Sequence, residues 1–389
     1  MIKKLQRQLT YRFPYVSYMV VAIAVALAWG LRGVHGHERG GAIAGGMAGL
    51  ALAAVTGNPR WLIASVLGSL GFAVGGALSY GMFVQMAFEG VLHGVFALAL
   101  VGIAWGGIGG LALGLGYALP QYRLSERLSI GVGLFLVWLC VDFLLPSRMT
   151  GLQDLAVRDL LVLVLVGAWL LLTAYVGAWK QDRRSLFLAV GCALGFGIGF
   201  PAAAWMQGMG QLTIIPIDWW KIAEHSIGAV GGLALAIFAL KLEAEWVPPF
   251  EFHPWERWAL CAWLLWGIPF WALANNLNHW VVERQTMDLQ SAQSVFGWAW
   301  VALGVFVLFG WLEIKRGRAF VVSLFPHQLR TVFLAFVWLV TAIAIVKDIY
   351  PVGFSAWTPT QTTFLLMAAA VTALLPKPAH EWKPPKPTE

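Results

Sequence analysis

Long apolar stretches separated by short polar segments run through almost the whole chain. A helix needs about 20 mostly apolar residues to cross the hydrocarbon core of a bilayer. Twelve stretches approach or meet that length, so the pattern predicts an all-α, polytopic membrane bundle of about twelve transmembrane helices. Their approximate bounds are 15–33, 41–57, 61–83, 90–117, 128–146, 160–179, 186–206, 222–240, 258–277, 294–313, 328–346 and 359–376.

Small residues recur at four-residue steps in five series along the chain. A four-residue step keeps them on one helix face, and a face of hydrogens lets a second helix backbone approach closely, as is typical of packing in lipid. The spacing therefore predicts a glycine-zipper core made by the first four, the seventh and the eighth stretches, with the others outside. The series are Gly90, Gly94, Gly102, Gly106, Gly110 and Gly114; Gly33, His37, Gly41, Gly45 and Gly49; Gly71, Gly75 and Ser79; Gly191, Gly195, Gly199 and Ala203; and Glu224, Gly228, Gly232 and Ala236.

Two sequence similarities indicate an internal duplication. The hexapeptide LGFAVG at 70–75 resembles LGFGIG at 194–199, and GGLAL at 109–113 returns at 231–235. An even number of helices separates the copies, so both have the same orientation. The alternative is chance similarity among helices rich in Gly, Ala and Leu. The predicted organisation is one transmembrane domain over 1–389, with repeat units 61–184 and 185–318 and a disordered cytoplasmic tail at 376–389.

Composition and charge support a membrane location. The chain is 59% hydrophobic and 12% charged, whereas soluble domains carry about 25% charged residues. If the N-terminus is inside, 19 of the 26 Lys and Arg residues fall on the inner side. This distribution predicts a multi-pass protein of the cell (inner or plasma) membrane with both termini cytoplasmic. The net charge of +7 is thereby explained by membrane orientation and does not indicate nucleic-acid binding.

The start of the chain and its three cysteines each allow a second interpretation. Ala26-Leu27-Ala28 after a basic start resembles a signal-peptide cleavage site, but Trp29 would be a poor mature start and the next helix would lose its partner. Cys140, Cys192 and Cys261 lie within predicted spans without pairing motifs, so they predict packing and no disulfide or metal centre.

Ionisable residues cluster at the predicted outer ends of the central helices. Such groups are costly near the hydrocarbon core and tend to pair or line water-filled cavities. They predict one shared site for a substrate or a proton, with no cofactor and no metal. The candidates are Arg32, His35, His37, Glu38, Arg39, Glu89, His93, Trp219, Trp220, Lys221, Glu224, His225, Asn275, Asn276 and His279.

Each candidate also has a structural alternative. Arg32 and Arg39 can snorkel to lipid phosphates, and Trp219 and Trp220 can be interface anchors. Glu224 lies on a small-residue face, so it is expected to point into the bundle, either in an ion pair with Arg32 or Lys221 or in a functional role. Pro201 offers a helix break in the seventh stretch.

Three functions fit these features. Repeated helices around a polar site predict a secondary transporter of a small hydrophilic solute, a sugar or an organic acid, with proton coupling through Glu or His. A one-sided site also suits an enzyme acting on a lipid-linked substrate at the outer leaflet, through general acid–base chemistry. The third possibility is a scaffold subunit of a membrane complex. Expected partners are lipids, the solute and a further copy or subunit, but not nucleic acid.

Overall fold

The computed structural model describes residues 14–56, 60–76, 80–118, 122–144, 155–215, 217–242, 254–315, 329–350 and 352–375. These residues are predominantly helical, and no strand occurs among them. The predicted tail 376–389 lies outside the described residues, as does most of the connector after the eighth predicted span.

The helices of the described residues are numbered α1 to α13 in chain order. One π turn interrupts α10, a second ends it, and a third extends α7. The bounds are α1 Pro14–His35, α2 His37–Thr56, α3 Trp61–Gly76, α4 Gly81–Phe88, α5 Leu92–Ala118, α6 Leu124–Leu144, α7 Leu155–Ala174 followed by Tyr175–Trp179, α8 Arg183–Gln211, α9 Trp219–Leu242, α10 from Pro254–Ala262 through Trp263–Gly267 and Ile268–Asn278 to His279–Glu283, α11 Leu289–Lys315, α12 Leu329–Ile349 and α13 Pro359–Leu374.

Eight of these helices are long and apolar enough to cross a membrane: α1, α2, α5, α7, α8, α9, α10 and α12. Two shorter apolar helices, α3 and α13, accompany them. The described residues are therefore helical and consistent with a multi-pass membrane bundle. The count of twelve spans, the internal repeats and the glycine zipper stay predictions.

Six helices form a closed ring at the centre of the molecule. Around the ring, each helix contacts the next in the order α1, α2, α3, α5, α8, α9 and back to α1. These are the six helices whose small-residue spacing assigned them to the centre. Outside the ring, α12 and α13 pack on α1, α7 packs on α5, and α6 packs on α3 and α7.

Neighbouring helices of the ring approach each other through glycine. A Cβ added to Gly45 of α2 would lie 2.1 Å from the carbonyl oxygen of Gly68 in α3. One added to Gly106 of α5 would lie 2.3 Å from the carbonyl oxygen of Cys192 in α8. Only a residue without a side chain fits at these contacts, and close backbone approach adds van der Waals packing where lipid offers no hydrophobic driving force.

Aromatic side chains fill the interior of the ring. Trp29 of α1, Phe72 of α3 and Phe196 of α8 touch one another, with ring centroids 4.7 to 6.2 Å apart. Their helices alternate around the ring, so these contacts run through its centre. All three side chains are buried.

The two ends of the ring differ in their chemistry. At one end, called here the His35 end, α1, α3 and α8 finish and α2, α5 and α9 begin. Gly36 links α1 to α2 there with φ of 69°, a left-handed conformation that glycine adopts without strain. At the opposite end, the Arg60 guanidinium donates a hydrogen bond to the carbonyl of Tyr117 at the close of α5.

One local expectation is wrong. α8 runs without interruption from Arg183 to Gln211 with Pro201 inside it, so Pro201 does not break the helix. The residues on either side keep their helical bonds, and proline removes a single donor. Neighbouring helices commonly make this tolerable in membrane helices.

Candidate functional site

A buried charged group lies inside the ring near the His35 end. The Glu224 carboxylate lies 2.7 Å from Lys221 Nζ and 3.9 Å from Arg32 Nη1. The Glu224 side chain is 2% exposed and that of Arg32 is 8% exposed. Burying such charges is costly unless they are paired, and here two cations and one anion lie together.

Glycines of α1 make room for the charged end of α9. A Cβ on Gly33 would lie 1.8 Å from Glu224 Oε2, and one on Gly30 would lie 2.1 Å from the His225 ring. His225 Nδ1 is 2.9 Å from the carbonyl oxygen of Ala26. A carbonyl only accepts, so Nδ1 carries the proton and donates it. The two glycines thus allow both polar side chains to lie directly on the α1 backbone.

The Arg32 guanidinium contacts two aromatic rings. Its Cζ lies 4.5 Å from the centroid of Tyr80 and 4.9 Å from that of Trp105. Cation–π contacts of this kind strengthen when they are desolvated. The Trp220 ring is nearly parallel to that of Tyr80, with the two planes 18° apart and the centroids 6.3 Å apart. These rings fix the guanidinium beside the carboxylate of Glu224.

Several polar atoms of this region have no hydrogen-bond partner among the described residues. The Tyr80 hydroxyl lies beside Trp29 and Glu224 without hydrogen-bond geometry to either. The phenol O–H of Tyr80 is a hydrogen-bond donor. The other atoms are Trp29 Nε1, Arg32 Nε, Trp105 Nε1, Glu224 Oε1, His225 Nε2 and both nitrogens of His35. A buried unsatisfied polar group costs about 1–3 kcal/mol, so such a concentration requires an explanation.

We call the set Trp29, Arg32, Tyr80, Trp105, Lys221 and Glu224 the Glu224 cluster. Additional cations surround it. Lys347, Lys221 and Arg39 lie near enough to the buried His35 ring to act on it electrostatically. Lys347 Nζ donates to the carbonyl oxygen of Val34 at 2.5 Å, which attaches α12 to the end of α1. Carboxylates lie close to these cations as well, since Glu283 and Asp348 act electrostatically on Lys347 and Asp218 acts on His225.

The predicted site residues fall into separate groups. Arg32, His35, Lys221, Glu224 and His225 are brought together. Arg39 lies at the edge, where its Nη1 donates to Asn275 Oδ1 at 2.7 Å.

Other predicted residues lie apart from the cluster. His93 pairs with Asp159 of α7 at 3.0 Å, and the exposed Glu89 accepts a hydrogen bond from Gln85. His279 pairs with Glu283 one turn further along α10 at 2.5 Å. These local pairs satisfy their charges outside the ring, so the structure does not gather them with Glu224.

The remaining predicted residues have structural surroundings or undescribed side chains. Asn276 donates to the carbonyl oxygen of Ile343 and binds α10 to α12. Trp219 packs against Gly210 at the end of α8. Glu38 is half-buried in the first turn of α2, whereas the His37 side chain lies outside the described atoms.

Sequence reasoning missed Trp29, Tyr80, Trp105 and Lys347. Trp29 and Trp105 belong to apolar stretches and carry no local signal of a polar role. Tyr80 follows Gly76, the last residue of α3, by four positions and belongs to no motif that indicates a polar role. The common property of these residues is a long-range contact, which a linear pattern does not show.

Comparisons of the chain with family models, curated proteins and solved structures gave no match. The site must therefore be interpreted from its own geometry. Among the described residues, no group of three or more His, Cys, Asp or Glu side chains is placed to hold a metal ion.

Proposed function

We propose that this protein is a secondary active transporter of a small hydrophilic solute, of the sugar or organic-acid class, with Glu224 coupling solute movement to protons. The carrying observation is the burial of Arg32 and Glu224, with the partly buried Lys221 beside them, inside a closed ring of apolar helices. Intramembrane ionisable residues that face a bundle interior are a hallmark of substrate and proton pathways. The unpartnered donors around them supply contacts that a hydrophilic solute needs once water is excluded.

The proposed topology has twelve spans, both termini in the cytoplasm and the His35 end facing outward across the cell membrane. Its core is proposed to be held by glycine zippers and built from same-orientation repeats. Supporting observations are the glycine contacts between ring helices and the excess of basic residues on one predicted side. Such repeats allow one part of a carrier to rock against another around a central site.

The transporter is favoured over an outer-leaflet enzyme because the Glu224 carboxylate is buried within the ring. An enzyme acting on a lipid-linked substrate requires its acid–base group to reach a groove that opens to the leaflet. At 2% exposure, Glu224 meets that requirement only after the ring opens.

Transport is tested with purified protein in liposomes on a solid-supported membrane. Concentration jumps of L-lactate, succinate and glucose, with and without an inward proton gradient, should give a current for at least one solute. Glu224→Gln should abolish the dependence of that current on pH, because an amide does not titrate. Glu126→Gln is the matched control, since this carboxylate pairs with Lys180 in the outer layer, away from the Glu224 cluster. Unchanged flux and pH dependence in Glu224→Gln would rule out the assigned coupling group.

A further inference from the structure

The six-helix ring is built from three hairpins that repeat the same contacts. The hairpins are α1 with α2, α3 with α5, and α8 with α9. Inside the second hairpin, Gly71 faces Ala112 and Gly109 faces the Phe72 ring. Inside the third, Gly195 faces Ala234 and Gly231 faces the Phe196 ring. The paired contacts are displaced by 124 residues in the first helix and 122 in the second, as in the sequence similarity.

The junctions between hairpins extend this correspondence to all three. Gly45 approaches the Gly68 carbonyl, Gly106 approaches the Cys192 carbonyl, and Gly228 approaches the Val25 carbonyl. The hypothetical Cβ-to-oxygen distances are 2.1, 2.3 and 2.5 Å. Each carbonyl residue lies four positions before an aromatic residue of the interior, which is Phe72, Phe196 or Trp29. Three equivalent junctions around a closed ring define an approximate threefold axis.

Three aromatic residues meet on this axis. Trp29, Phe72 and Phe196 occupy corresponding positions in α1, α3 and α8 and contact one another at the centre. We call them the aromatic triad. All three are at most 1% exposed, so solvent does not reach the triad in this conformation.

The approximate symmetry fails at the junction between α9 and α1, where charged side chains replace glycines. Gly41 and Gly102 meet the carbonyls of Phe72 and Phe196, but the corresponding position in α9, four residues before Gly228, is Glu224. Three residues after the triad, α3 and α8 have Gly75 and Gly199, whereas α1 has Arg32. At this one junction, an ion pair beside the triad thus takes the place of the glycines found at the equivalent positions.

Among the charged side chains at this break, Arg32, Lys221 and Glu224, positive charge exceeds negative charge by one. Arg32 and Lys221 supply two positive charges against one from Glu224, and one Glu224 oxygen is already bonded to Lys221. The unpartnered Arg32 Nε–H, the indole N–H groups of Trp29 and Trp105, and the Tyr80 O–H are donors in at least nine-tenths buried side chains. Preorganised donors in a low-dielectric site bind anions strongly.

We propose that the threefold axis is the solute path, that the aromatic triad is its gate, and that Arg32 anchors a small organic monoanion, a short carboxylate, beside that gate. The proposal rests on the proposed transport function and narrows its solute class from sugar or organic acid to the latter. The carboxylate would accept from Arg32 and from the indole and phenol donors that have no partner in the closed ring.

The gate is tested by removing its symmetry-related members. Phe72→Ala and Phe196→Ala proteoliposomes are compared with wild type for passive permeation of acetate, L-lactate and glycerol by stopped-flow light scattering. Each variant should raise lactate permeation by about tenfold or more, equivalent to about 1.4 kcal/mol in the barrier. Phe270→Ala is the control, because Phe270 packs with Trp266 and Trp300 in the outer layer. Phe72→Leu and Phe196→Leu replace the alanine variants if these do not fold.

The anchor is tested by adding Arg32→Gln to the permeable variant. The double variant should lose the preference for acetate and lactate over glycerol while it stays permeable. Folded triad variants that admit none of the three probes overturn the gate, and equal permeation of lactate and glycerol with Arg32 present overturns the anchor. If the triad variants conduct lactate while the wild-type protein drives no uphill uptake under any gradient, the proposed solute path is supported. The proposed function as an active transporter is then refuted.

Discussion

At the scale of single residues, the energetics of this protein centre on Arg32 and Glu224. Both charges lie inside membrane-length helices and are nearly inaccessible, with their carboxylate and guanidinium atoms 3.9 Å apart. A buried pair contributes little net stability relative to apolar residues, but the removal of one partner leaves an uncompensated charge. Lys221 moderates this effect because it bonds the second carboxylate oxygen.

A double-mutant cycle measures this coupling. Arg32→Gln and Glu224→Gln should each lower the free energy of unfolding, and the double variant should cost less than their sum by about 0.5–3 kcal/mol. Thermal unfolding in detergent, followed by intrinsic tryptophan fluorescence, gives the three differences. Strictly additive costs would mean that the two charges do not interact in the folded protein.

At the scale of elements, the ring and its outer layer are held by different contacts. The ring helices meet through glycine, as at Gly45 and Gly68, whereas outer helices are joined by isolated polar links. One such link joins the start of α6 to the residue that follows the π turn after α7. There the Lys180 ammonium donates to the Glu126 carboxylate and, as the main cause, holds the pKa of Glu126 below its ordinary value.

This link should depend on pH in a defined direction. Because the pKa of Glu126 is lower in the folded than in the unfolded state, the pair stabilises the fold above the ordinary glutamate pKa of about 4.3 and loses its contribution as the pH falls through the lowered value. Glu126→Gln should therefore reduce the melting temperature slightly at about pH 7 and not at about pH 3. A difference between the two proteins that grows toward acid pH would contradict this sign.

At the scale of the whole molecule, the three junctions between hairpins should be energetically equivalent. Gly45→Ala, Gly106→Ala and Gly228→Ala each force a methyl group against a backbone carbonyl and should cost about 1–3 kcal/mol, as overpacking does. Gly304→Ala in α11 is the control, because nothing lies within 4 Å of its added Cβ. Unfolding in detergent compares the four variants. Junction variants as stable as Gly304→Ala would show that close approach does not hold the ring together.

Much of the architecture was accessible from the sequence because it depends on local composition. Apolar length specifies a membrane helix, and glycine spacing identifies which helices can approach closely, so α1, α2, α3, α5, α8 and α9 were recognised as central. The site was predicted less well. Arg32, Lys221 and Glu224 were expected to meet, but His93 and His279 were grouped with them since all fall at the same predicted side of the membrane.

The amino-acid sequence by itself determined that the chain is a helical membrane protein and which helix faces are small enough to pack closely, because both follow from residues near one another in the chain. Only the tertiary structure decided that Arg32 meets Glu224 and Tyr80, and that Trp29, Phe72 and Phe196 converge. Those contacts join residues far apart in sequence. They depend on the closure of the ring and on the rotation of each helix about its own axis, which no single helix encodes.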